Sequence, residues 1–118
     1  MNTDNRKKIE TIINDRKKAH RYYIGHSEVY RSFVEMEKHA FEDGMLGKKY
    51  KELIAIGISI RINCESCVEW HIKQALDSGA SQEEIIEAIF LIGFAGGQDA
   101  KIFSGAARVI VLHQLIAW

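Results

Sequence analysis

The sequence predicts an all-α fold of six helices, on three observations. Apolar residues recur at spacings of three and four through most of the chain. Short polar or glycine-containing breaks separate these segments, and several open on a capping residue. Proline is absent altogether, so no helix is broken from within by a residue that lacks an N–H.

A first helix is expected from Thr3 to about Tyr23, where Ile9, Ile12, Ile13 and Ala19 make a thin apolar stripe in a polar segment. A second runs from about Ser27 to Glu42, with Ser27 as N-cap and Val29, Tyr30, Phe33, Met36, Ala40 and Phe41 on its apolar side. Gly44 and Gly47 in "EDGMLGKK" break it. The next segment, "YKELIAIGISIRIN", is two-faced. Ile56, Ile58, Ile60 and Ile62 alternate as in a buried strand, yet the neighbours are helical and a lone strand has nothing to pair with. It is therefore read as a third helix, buried on several faces. A fourth begins at Asn63 as N-cap and runs to about Ser78, where Gly79 stops it. Ser81 and Glu84 form a capping box for a fifth helix through "IIEAIFLIGFA", which Gly96 and Gly97 end. Asp99 caps a sixth through "AARVIVLHQLIAW". With no repeat, low-complexity tract or linker, residues 1–118 read as a single domain.

Composition narrows the function classes. Sixteen basic residues balance sixteen acidic ones, so no net field recruits nucleic acid or an anionic membrane. The runs "RKK" and "RKKAHR" near the start lie among acidic residues and read as a solvated helix face. The first twenty residues lack the apolar core of a signal peptide, and the longest apolar stretches are too short to span a bilayer. A cytoplasmic protein is expected. Apolar residues on more than one face of the segments 53–62, 85–95 and 102–118 suggest contact with another subunit.

The chemistry concentrates in "NCESCVEWH". Cys64 and Cys67 are the only cysteines in the chain, too few for a disulfide scaffold, and His71 follows four residues later. On a helix, at about 100° per residue, Cys67 lies roughly 60° from Cys64 with His71 between them. A cysteine at a helix N-terminus is favoured as thiolate, and His71 one turn beyond Cys67 can take its proton. Glu65 and Glu69 oppose this, because nearby negative charge disfavours a thiolate. Haem attachment is excluded, since Val68 and not histidine follows Cys67. Zinc could take both sulfurs and His71, completed by Glu52 or His113, although no second Cys/His pair exists. Two core-filling cysteines are the plainest alternative.

The flanking sequence adds to this. "KELIAIGISIRINCESCVEWHIKQALDSGASQEEIIEAIFLIGFAGG" closely resembles the core of the carboxymuconolactone decarboxylase family, in particular its alkyl hydroperoxidase D-like branch. The carrying features are "KELIA", a glutamate twelve residues before the first cysteine, CxxCxxxH, the "ALDSGAS" turn and the double glycine. The resemblance implies an all-helical subunit that assembles into homotrimers or homohexamers, with no cofactor. It places Cys64 and Cys67 on a redox pair, and Glu52 and His71 on a proton relay that activates a thiolate, commonly the second cysteine. The implied substrate is a hydroperoxide or a protein disulfide, and an external dithiol electron donor closes the cycle. The helix-dipole argument favours Cys64 as thiolate and the relay favours Cys67, so the attacking sulfur stays open. Alkyl hydroperoxidase D proper carries a second histidine just before the second cysteine; here that residue is Ser66. The alternatives are a lactone decarboxylase, which does not depend on a CxxC pair, and a metal-holding scaffold.

Without the family spacing, Glu52 beside Lys48, Lys49 and Lys51 reads as a solvated ion-pair partner. His20, His26 and His39 read as surface histidines, and His113 as a core or interface residue. Trp70, Trp118, Phe90, Phe94 and Phe103 read as core or subunit contacts.

Overall fold

The structure is a computed structural model and describes residues 3–95, with side chains described as far as Leu91. These residues form five α-helices and no strand: α1 (Thr3–His26), α2 (Glu28–Ala40), α3 (Lys48–Arg61), α4 (Glu65–Asp77) and α5 (Gln82–Ala95). The sixth helix expected from the sequence, with Asp99 and His113, lies outside the described residues. The described residues are all-α, as expected. None of the described helices is long and apolar enough to cross a membrane.

α3 is the central element. It packs along α4 and α5, while α1 lies against α4 and carries α2. The core between them is built from Ile9 of α1, Ile56 and Ile60 of α3, Val68, Ile72 and Ala75 of α4, Ala80, and Ile85 and Ile89 of α5. Ile12, Ile13, Leu53 and Leu76 pack against it.

The alternating isoleucines are helical, and they divide into two stripes. At about 100° per residue, positions four apart stack. Glu52, Ile56 and Ile60 therefore share the buried side, whereas Tyr50, Ile54, Ile58 and Ile62 line an exposed one. Burial on several faces, expected from the sequence, holds for only part of the helix circumference. α2 also differs from a core helix: Val29, Phe33 and Met36 are at least half exposed and none of its residues is buried. Phe90 and Trp70, too, are partly exposed rather than core.

Local signals set the joints. Ser27 alone separates α1 from α2, and its Oγ accepts the Tyr30 N–H at 3.0 Å. α1 therefore runs three residues beyond the expected Tyr23. Gly47 caps α3 without a side chain, and Asp43 Oδ1 supplies the missing acceptor for the Lys48 N–H at 2.7 Å. Lys51 ties the preceding loop down through the Ala40 and Glu42 carbonyls. At α5 the capping box is present in full: Ser81 Oγ accepts the Glu84 N–H, and Glu84 Oε1 accepts the Ser81 N–H. Glu84 also pairs with Lys49 of α3 at 2.9 Å. These contacts, the Ser81 N–H first and Lys49 second, hold its carboxyl below the ordinary glutamate range.

The α3–α4 joint corrects the sequence reading. Asn63 is not the N-cap of α4. It lies in the left-handed region with φ 59°, and it terminates α3. Its N–H donates to the Ile60 carbonyl, and the Cys64 N–H donates to the Ser59 carbonyl at 3.0 Å. That pair of bonds is a Schellman motif, in which asparagine is the usual substitute for glycine. The same pattern closes α4, with Gly79 at φ 94° and the Ala80 N–H on the Ala75 carbonyl. Because Asn63 is used to end one helix, the next residue, Cys64, becomes the N-cap of α4. Asn63→Gly is therefore expected to leave stability unchanged or slightly raised, whereas Asn63→Val, a β-branched residue forced into the left-handed region, costs about 1–2 kcal/mol. Urea unfolding of the two variants checks this; equal stability would contradict the assignment.

Candidate functional site

The Schellman turn delivers Cys64 to the end of α4 with extended backbone, and its Sγ accepts the Cys67 N–H at 3.3 Å. A sulfur at this position sits against the free N–H groups of the helix start, where negative charge is favoured. Cys67 lies in the first turn, and the two sulfurs are joined in a disulfide with Cα atoms 5.3 Å apart. Both cysteines are half-buried. Three residues on one helical face had been expected; instead Cys64 precedes the helix, and only Cys67 and His71 sit one turn apart on α4.

His71 faces α3. Its Nδ1 lies 2.9 Å from Glu52 Oε2, and its ring stacks on Phe41 with centroids 5.4 Å apart. Glu52 is 2% exposed, so it is no solvated partner of surface lysines. Its other oxygen accepts from Lys48 Nζ at 3.1 Å, and that ammonium also lies over the Phe41 ring. Because an ionised carboxylate only accepts, the His71 contact places a proton on Nδ1 and leaves Nε2 as the basic nitrogen. Burying a carboxylate is costly unless it is paired and hydrogen-bonded, and His71 and Lys48 meet both requirements here.

A second buried carboxylate lies beside the cysteines. Glu69 is 3% exposed, and Arg16 of α1 pairs with it at 2.5 Å. The same guanidinium reaches the Ser66 carbonyl and Ser66 Oγ at 3.2 and 3.3 Å and lies over the Trp70 ring. Arg16 and Lys48 carry the charges that balance the site, and neither was singled out from sequence as a functional residue. The spacing of Arg16 contained a signal: it continues the stripe of Ile9, Ile12 and Ile13 at helical intervals, which marks a side facing the protein. The residue sits within "RKKAHR", and that run read as solvated. Among the described residues, no three histidine, cysteine, aspartate or glutamate side chains are grouped as a metal ion would require. His113 lies outside them.

A helical domain with a cysteine pair at a helix start, and a buried glutamate bonded to a histidine one turn further on, defines the class. The family model of the carboxymuconolactone decarboxylase family matches residues 27–108, and the chain belongs to that family. A protein of the cox locus of Paracoccus denitrificans is 40% identical over 60 residues, covering 51% of this chain and 54% of its own length. The chain thus matches about half the length of that relative. Among solved structures, a carboxymuconolactone decarboxylase family protein from Legionella pneumophila is similar with a TM-score of 0.73 at 26% identity, covering 87% of this chain and 91% of its own. A Thermotoga maritima family member, for which a part in antioxidative response has been suggested, has a TM-score of 0.71 at 25% identity over 86% of this chain and 84% of its own.

The Glu52 contacts are open to test by stability. Glu52→Ala leaves the His71 N–H and Lys48 without their acceptor and should cost about 1–3 kcal/mol. Glu52→Gln keeps the shape and one of the two acceptor oxygens, so it should cost less. Urea unfolding of both variants distinguishes them; equal losses would show that the hydrogen bonds do not hold this carboxylate.

Proposed function

We propose that the protein is a cytoplasmic thiol–disulfide oxidoreductase that reduces hydroperoxides or partner disulfides through Cys64 and Cys67. The observation that carries this reading is the hydrogen bond from His71, one helical turn beyond a bonded cysteine pair, to the buried Glu52 carboxylate. Family membership and the antioxidative role suggested for the Thermotoga relative support it.

In the reduced protein, His71 Nε2, held by Glu52 through Nδ1, takes the proton of Cys67. The Cys67 thiolate attacks the distal oxygen of a hydroperoxide. The O–O bond breaks, the alkoxide leaves as an alcohol with the proton returned by His71, and Cys67 becomes a sulfenic acid. Cys64 then attacks the Cys67 sulfur; the S–O bond breaks, water leaves, and the disulfide forms. An external dithiol attacks Cys67, and Cys64 departs as thiolate, stabilised as N-cap of α4. The donor's second thiol attacks its own sulfur in the mixed disulfide, which releases Cys67 and leaves the donor oxidised. A partner disulfide is reduced by the reverse exchange. With Ser66 in place of a second histidine, the Glu52–His71 pair is the relay.

The exposed stripe of Tyr50, Ile54, Ile58 and Ile62 supports assembly of several copies into the homotrimer or homohexamer expected from the resemblance.

In a hydroperoxide consumption assay with a dithiol donor, Cys64→Ser and Cys67→Ser should each abolish turnover, while Glu52→Gln and His71→Asn lower it by roughly 10²–10⁴-fold, the usual scale of proton-transfer catalysis. Full activity in either serine variant would overturn the mechanism, and lactone decarboxylation that ignores both cysteines would replace it.

A further inference from the structure

Resting on the redox reading above, we propose that Arg16 is a positioning residue of the cysteine turn. It cancels the charge of Glu69 and pins Ser66, so that the reduced pair can hold a thiolate.

The charged and titratable groups around this turn make the problem plain. α4 brings Glu65, Glu69 and His71, α3 brings Glu52, and α1 brings Arg16. Glu52 is matched by His71 and Lys48. Glu69, 3% exposed and one turn beyond Ser66, is a buried negative charge on the helix that carries the cysteines, and it disfavours a second one there unless a cation meets it. Arg16 meets it with a side chain only 23% exposed, so solvent screens the pair weakly. The rest of the guanidinium is spent on Ser66, the residue between the cysteines, through both its carbonyl and its hydroxyl. A planar fork serves Glu69 and Ser66 together, which a lysine ammonium does less well. Stacking of Arg16 on Trp70 fixes the approach of the side chain to this turn.

Arg16 lies on α1, upstream of the residues 27–108 that the family model matches. The assignment therefore comes from this chain's own packing. It gives α1 a task beyond burying Ile9: the helix delivers a cation to the redox turn.

The test is alkylation of the fully reduced chain by iodoacetamide across a pH series, with no oxidant present. Arg16→Gln should slow alkylation at neutral pH by roughly three- to tenfold and displace its pH profile upward. Arg16→Lys, which keeps the charge, should recover most of the rate. Arg16→Gln combined with Glu69→Gln should recover part of the rate, since both charges are gone while the hold on Ser66 is still missing. A profile unchanged in Arg16→Gln, with helix content intact by circular dichroism, would overturn the proposal. Should Arg16→Gln fail to fold, Glu69→Gln decides: faster alkylation supports the proposal, and an unchanged or slower rate overturns it. Alkylation needs no peroxide, so an unsubstituted pair that resists hydroperoxide would defeat the redox reading and leave this comparison readable.

Discussion

The hydrogen bond between the buried Glu52 carboxylate and His71 is the constraint on which the site depends. It joins α3 to α4 through a carboxylate that is 2% exposed, and such a group can stay buried only while its partners stay in reach. The partners stay in reach because α3 and α4 are joined by three residues, Ile62, Asn63 and Cys64. Asn63, in the left-handed conformation, reverses the chain tightly enough to lay α4 along α3, with Ile56, Ile60, Val68 and Ile72 filling the space between. The turn that ends one helix also presents the first cysteine as cap of the next. Helix termination, helix initiation and sulfur placement are thus one structural event.

Charge balance is the second constraint. Two carboxylates are buried on the helices that meet at the cysteine turn, Glu52 on α3 and Glu69 on α4, and each is met by a cation from a separate place in the chain. Lys48 sits one turn before Glu52 on α3; Arg16 comes from α1. The helix start of α4 adds a positive field at Cys64, which Glu65 in the first turn opposes. Ser66 fits this arrangement as well. Its hydroxyl accepts from Arg16, so the residue is engaged with the α1 clamp.

Much of this was legible in the sequence because capping chemistry is local. Ser27, the Ser81–Glu84 box and Gly79 act where their residue types predict. Asn63 misled for a physical reason: asparagine suits both an N-cap and a left-handed C′ position, and only the bonds to Ile60 and Ser59 show which is used. The isoleucines of α3 were rightly read as helical, but only Ile56 and Ile60 are buried, since a period of two on paper becomes two stripes on a helix. Burial of Glu52 was signalled by family spacing and not by its lysine-rich neighbours. The clamp of Arg16 on Glu69 spans more than fifty residues of chain, and no local pattern encodes such a contact. The last expected helix falls outside the described residues.

The central claim is that Cys64 and Cys67 form a peroxide-responsive dithiol. Intact mass with thiol trapping, on metal-free reduced protein before and after one equivalent of an organic hydroperoxide, tests it most directly. The account predicts rapid loss of two hydrogens, with both cysteines protected from alkylation and restored by a dithiol. Two freely alkylated, unoxidised thiols would contradict it.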